Sequence, residues 1–353
     1  MSSRHQHHPI LSAGSALTRR RLLQHSCTSG MALVSAGGLA GLLAACGDDD
    51  GAATPKSSST LLVGHLPAGC VQHLLLANKR KLFAKEGLNV KLTQFNGPGD
   101  NLNALVSGRQ HLAHNPWTNT VAAYAKGQRD LRIVGGSGQG GIELVAREGS
   151  VESVDELVAA ADTGLKLGTL RLDTLEVVAY GTLDKAGRSY ADYELTFFPS
   201  MVGMGDALIE KSLDVCSLAQ PYGATVVDKA NGTYLTDSNA AWGPHAADCV
   251  VSSTEPVMKE RGSEIRTYLE VLREAARQRD ADYEKAIAEL APIYAAEPAV
   301  LSAGLKRQVP QPVLDKAGVQ SLKNGVGYLV DLGYLKEDVV DQVFDGSLQP
   351  RAA

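Results

Sequence analysis

His65, Cys70 and His73 lie within nine residues of one another, and two imidazoles with a thiolate can hold a transition metal or a haem iron. Their spacing matches no standard zinc pattern and no second cluster accompanies them, so the expected site contains no metal or cofactor, with a metal- or haem-binding protein as an alternative. Pro67, Ala68, Gly69, Cys70 and Gln72 read as a loop that opens a helix. The first N–H groups of such a helix, with about half a positive charge, suit an anionic or carbonyl-bearing ligand. Asn96 and Gly97 start a tight turn in which glycine permits close approach of backbone to ligand. Arg171, at the end of an expected strand, either grips an oxyanion with two parallel hydrogen bonds or points into solvent. Thr174 lies beside it in an Asp173/Glu176 helix-capping pattern, and Met201 lies in the next strand-to-helix loop.

Two further pairs repeat. Asn115 and Trp117 flank Pro116, and Gln220 and Tyr222 flank Pro221, each after a helix, a turn and a short apolar strand. Amides donate and accept in fixed geometry and aromatics form apolar walls, so these four are binding candidates unless the rings pack the bases of the following helices. Ser137 and Gln139 belong to a Ser-Gly-Gln-Gly-Gly run without a Walker lysine, read here as a hinge-side cleft wall. Neither a nucleophile-elbow pattern nor a metalloprotease helix is present, which argues against an enzyme.

These residues must be carried by elements that alternate. Short β-rich runs at 61–65, 89–95, 111–114, 131–135, 141–147, 165–170, 193–198, 214–218 and 249–253 are separated by helical stretches, a pattern of parallel βα units. Beyond Glu255 the periodicity is helical, which predicts a tail packed back onto a lobe. The repeat predicts two similar α/β lobes, and in open α/β sheets ligands sit beyond the carboxyl ends of strands, so a cleft between lobes is the expected site.

The beginning of the chain reads as a targeting device. Arg19, Arg20 and Arg21 followed by the uncharged stretch 31–45 resemble a twin-arginine leader, and Leu43-Ala-Ala-Cys46 resembles a lipobox with Cys46 as the lipidated residue. A flexible linker at 46–60 follows. Cleavage before Cys46 removes four arginines and takes the net charge from −5 to −9, which disfavours nucleic acid as a partner. The expected protein is a monomer held to the outer face of the cell membrane by lipid alone. Three cysteines then remain in the folded part, and Cys216 with Cys249 is the pairing favoured if a disulfide forms.

Gly64, Pro67 and the run from Lys81 to Val90 (Lys-Leu-Phe-Ala-Lys-Glu-Gly-Leu-Asn-Val), continued by 104–113, Ile133 and 168–187, resemble the nitrate/sulfonate/taurine-type substrate-binding proteins, a group that includes thiamine-pyrimidine binders. The sequence departs from the family at His111, at Lys211 and Ser212, and at Gln220, where an acidic residue is customary. The resemblance implies a type II periplasmic-binding fold, with lobe one at 61–144 and 254–353 and lobe two at 145–253 including the return strand. It also implies capture of a small polar solute, either a sulfonate, nitrate-like or organic anion or a stacked heteroaromatic, for delivery to an ABC permease and its ATPase.

Overall fold

The computed structural model describes residues 60–350; the leader, Cys46 and the linker before Thr60 lie outside the described residues. Runs of β-branched and aliphatic residues form two sheets. The first begins with β1 (Leu61–His65), β2 (Val90–Gln94), β3 (Leu112–Pro116) and β4 (Leu131–Gln139). The second contains β5 (Ile142–Ala146), β6 (Lys166–Thr169), β7 (Glu194–Phe197), β8 (Val215–Ala219) and β9 (Thr233–Asp237). The chain then returns to the first sheet with β10 (Ala247–Thr254) and later β11 (Val309–Pro310). The strand orders are β11-β4-β10-β3-β1-β2 and β7-β6-β8-β5-β9. In each sheet three strands run parallel: β1 with β2 and β3, and β6 with β7 and β8.

The return strand differs from expectation. Counted with lobe two from sequence, it is hydrogen-bonded antiparallel to β3 and β4 and therefore lies inside the first sheet. Strand β9, whose Thr-Tyr-Leu-Thr-Asp run was not expected as a strand, pairs with β5 at the edge of the second. Residues 137–139 of the glycine-rich run are the end of β4, and Gly140 and Gly141 lead across to β5. The glycines of the run admit neighbouring chain: a side chain at Gly138 would come 2.8 Å from Cys70 Cα, and one at Gly141 2.3 Å from Gln308 Cδ.

One face of the first sheet is covered by the helix Gln72–Lys79 and, beside it, Glu255–Ala281, with Tyr283–Tyr294 packed on both, through Leu74, Leu76, Tyr268 and Leu272. A second core joins Trp117, Val121, Leu144, Leu167, Val215 and Trp242. The helix Lys316–Asp331 reaches this core, and the Tyr328 hydroxyl donates to the Ala241 carbonyl at 3.2 Å. Among the described residues, no helix is long and apolar enough to cross a membrane.

Candidate functional site

The six parallel strands end around one cavity. β1 leads to Leu66, Pro67 and Ala68, β2 to Asn96 and Gly97, and β3 ends at Pro116; β6 leads to Leu170, β7 to Pro199, and β8 ends at Ala219. All of these residues line a cavity of about 300 Å³ between the two sheets, closed further by Ile142, Cys249 and Gln308. This is the position that topology assigns to a ligand in open α/β sheets. A wider hollow of about 630 Å³, lined by Pro67, Gln94, Pro221, Tyr222, Lys229, Tyr294 and Glu297, meets the ends of β1, β2 and β8 only. Another, of about 450 Å³, lies among charged side chains of the helix Glu255–Ala281. Neither gathers the ends of all six parallel strands, so the smaller cavity is the candidate.

Helix starts dominate its polarity. The turn Gly69–Val71 runs into Gln72–Lys79, and Pro98–Val106, Thr174–Lys185 and Met201–Ile209 begin at the same cavity. Two starts are capped from within: Asp173 Oδ1 accepts from the Leu175 N–H at 3.1 Å, and Ser200 Oγ accepts from the Gly203 N–H at 3.1 Å. The start at Pro98 has no side-chain cap, because Gly97 precedes it. Burial pushes the Asp173 carboxyl above the usual carboxylate range, against the Leu175 and Thr174 groups that favour its charge. Among the described residues, no lysine, arginine, histidine or aromatic ring lines the cavity. The helix starts there bring the positive ends of backbone dipoles to its wall.

Of the residues singled out from sequence, Pro67, Ala68, Cys70, Asn96, Gly97, Thr174 and Met201 line this cavity. The others are placed elsewhere, each for a visible reason. Gly69 faces Gln220, and its N–H donates to the Gln220 carbonyl at 2.7 Å. Gln72 donates to the Gln308 carbonyl at 2.6 Å and accepts from Arg279 Nε at 3.0 Å, which bolts the first helix to the tail. Asn115 accepts from Asn101 at 2.8 Å and donates to the Pro98 carbonyl at 3.2 Å, so it positions the neighbouring helix. Trp117 is fully buried against Trp242, with ring centroids 6.3 Å apart. Ser137 donates to the Cys70 carbonyl at 2.7 Å, and Gln139 is engaged in the β4 ladders.

Arg171 lies over the Phe197 ring at 3.8 Å instead of reaching into the cavity. Tyr222 donates to the Val202 carbonyl at 3.2 Å and faces the wider hollow. Gln220 donates to Glu143 at 2.5 Å and to the Tyr234 hydroxyl at 3.2 Å, and accepts from the Ala224 N–H at 3.0 Å. Glu143 is buried and also bound by Arg307 at 2.5 Å. Gln220→Leu is therefore expected to lower stability by about 2 kcal/mol, the scale of a lost hydrogen bond to a charged group, as read from urea midpoints.

Among the described residues, no group of three or more His, Cys, Asp and Glu is placed to hold a metal ion, and His65, Cys70 and His73 form no such group. His65 Nδ1 pairs with the Leu66 carbonyl. His73 is wholly buried, and desolvation, with a smaller contribution from Arg279, depresses its pKa to about 3. Sequence reasoning missed Ile142, Cys249 and Gln308, which enter from the crossing, the return strand and the tail, and it gave Asp173 only its capping role.

The sequence signature of the NMT1-like family matches residues 54–295. No curated protein matches by sequence. Among solved structures, the chain is similar to the periplasmic aliphatic sulphonate binding protein of Escherichia coli, with a TM-score of 0.71 at 18% identity over 84% of this chain and 95% of that one. It is similar to the ligand-binding component of an ABC-type import system from Staphylococcus aureus, solved with zinc bound, with a TM-score of 0.71 at 16% identity over 84% and 99%. The periplasmic nitrate-binding protein of Synechocystis superposes with a TM-score of 0.69 at 14% identity over 83% and 87%.

Proposed function

Since the chain belongs to the NMT1-like family and has the two-lobed type II periplasmic-binding fold, we propose that it is the extracytoplasmic solute-binding component of an ABC importer and captures a small organic solute between its lobes. It is a binding protein and not an enzyme, in keeping with a family of non-catalytic binding proteins. The observation that carries the proposal is the single cavity onto which the carboxyl ends of all six parallel strands converge. A solute touching both walls favours closure, because it has more contacts in the closed form than in the open one.

The lining narrows the solute class. A nitrate-sized ion fills little of a cavity of about 300 Å³, since one water takes about 30 Å³ of liquid. The walls are mainly apolar, and helix starts offer attraction for negative charge. An organic acid or sulfonate with a short apolar body, its head at the uncapped start near Gly97, fits best. The heteroaromatic alternative loses its support, because Trp117 is core and Tyr222 faces elsewhere.

Export by the twin-arginine leader and anchoring at Cys46 complete the proposal, with an ABC permease and its ATPase as partners and no role for nucleic acid. The domain division that goes with it puts the crossings at 139–142 and 237–247. Calorimetric titration with a series of short alkyl carboxylates and alkanesulfonates tests the binding function. At least one should bind, and Ala219→Trp, which fills the cavity from the end of β8, should weaken it by tenfold or more, about 1.4 kcal/mol. Equal binding by the variant would move the site elsewhere, and no binding across the series would remove this solute class.

A further inference from the structure

Cys70 and Cys249 are free in this structure and line the cavity together. Their proximity follows from the strand register. Cys249 on β10 is paired with Gly138 on β4, at a point where the register of the two strands shifts. Gly138 has no side chain, and Cys70 takes its place: a Cβ built on Gly138 would lie 2.8 Å from both Cα and Cβ of Cys70. Cys70 and Cys249 thus both adjoin Gly138, one over its face and one across the ladder, which sets them side by side in the cavity wall. The Cys70 side chain is also the hydrogen-bond partner of the Cys249 thiol; that contact, and then burial, hold the Cys249 thiol well above its usual range. Cys216, the partner expected from sequence, is on β8 in the other sheet, where burial alone pushes its thiol up.

We propose that Cys70 and Cys249 are a redox-active dithiol in the wall of the cleft, joined into a disulfide by thiol–disulfide exchange with a small disulfide that enters the cavity. In the first step one cysteine loses its proton and its sulfur attacks the small disulfide, forming a mixed disulfide and releasing one thiolate. The second cysteine, deprotonated in turn, attacks the mixed disulfide at the protein sulfur and releases the other. Two protein thiols are oxidised, the small disulfide is reduced to two thiols, and the two protons pass to the thiolates released. The bond ties the turn that opens the helix Gln72–Lys79 to the return strand β10, and removes two S–H groups from the surface a solute touches. Oxidation state thereby becomes a property of the binding site and not only of the scaffold.

The test uses the reduced, purified chain, exposed under native conditions to 2-hydroxyethyl disulfide, then acid-quenched, denatured, alkylated and peptide-mapped by mass spectrometry. The expected product joins the Cys70 and Cys249 peptides and leaves Cys216 alkylated. In Cys249→Ser the crosslink should vanish and Cys70 should carry a mixed disulfide, its resolving thiol gone. Alkylation of both Cys70 and Cys249 in the treated wild type, a crosslink that includes Cys216, or a mixed disulfide that persists on wild-type Cys70 would each overturn the proposal. The mapping of the wild-type chain stands whether or not the variant folds.

Discussion

Trp117→Ala is expected to destabilise the protein by about 3–5 kcal/mol, the cost of emptying a large aromatic site in a close-packed core. The indole is completely buried at the head of the helix Trp117–Ala125, edge-on to Trp242 and pressed against Gly325, where an added Cβ would come 2.7 Å from the ring. Two of the walls around the ring, a second tryptophan and the backbone at Gly325, have little freedom to move into the gap. Solute affinity should change by less than threefold at a temperature where the variant remains folded, since the ring does not line the cavity. Denaturant midpoints and titration of the same preparation separate the two effects. A large loss of affinity with little loss of stability would restore the tryptophan to the cleft.

The second large effect is a dependence of stability on pH. Asp248 is fully buried near both chain crossings, where Oδ2 accepts from the Gly141 N–H at 2.8 Å and from Gln308 Nε2 at 2.6 Å, and Oδ1 accepts from Ser238 at 2.7 Å. Burial raises its pKa to about 8, with Glu143 and Asp237 adding to the rise and the Ser238 and Gly141 hydrogen bonds opposing it. An unfolded aspartate titrates near 3.9, so across the intervening range the folded state keeps a proton that the unfolded state releases. Stability linked to this group is complete in acid and is lost as pH rises towards 8, by about 1.4 kcal/mol per pH unit.

On the acid side the buried neutral histidines act oppositely. His73 and His114 both have depressed pKa values, so below about 6.5 the unfolded chain takes up protons that the folded one refuses. Between pH 6.5 and 8 the aspartate therefore dominates, and wild-type urea midpoints should fall. Asp248→Asn keeps the shape, an acceptor for Gly141 and a donor towards Ser238, but cannot titrate. Its slope in that window should be shallower by about one proton; an unchanged slope would assign the effect to another group, with Glu143, also raised by burial, as the next candidate.

Much of the fold was legible because the signals were local. Each parallel strand is a short aliphatic run followed by a turn and a helix, and the related Asn115-Pro-Trp and Gln220-Pro-Tyr steps do occupy matching places, at a strand end where a helix begins with the aromatic residue. What failed was direction. An aromatic after a strand looks the same in sequence whether it turns into the cleft or under the sheet, and the fully covered Trp117 illustrates the second case. Arg171 likewise had the right type at a strand end, but stacking on Phe197 claims its guanidinium. Cys249 and Gln308 carried no local mark at all, because they reach the cavity from strand and tail segments more than fifty residues apart in sequence.

The position of β10 has a bearing on biogenesis. A strand made of residues 247–254 lies between β3 and β4, which are complete by residue 139. A nascent chain that has emerged from the ribosome up to the end of the second sheet thus exposes two open edges, held apart for want of the piece that fills the space. Such edges invite pairing with other chains, so the unfinished polypeptide depends on holding factors, or on rapid completion, until the late segment slots in and seals the older half around it.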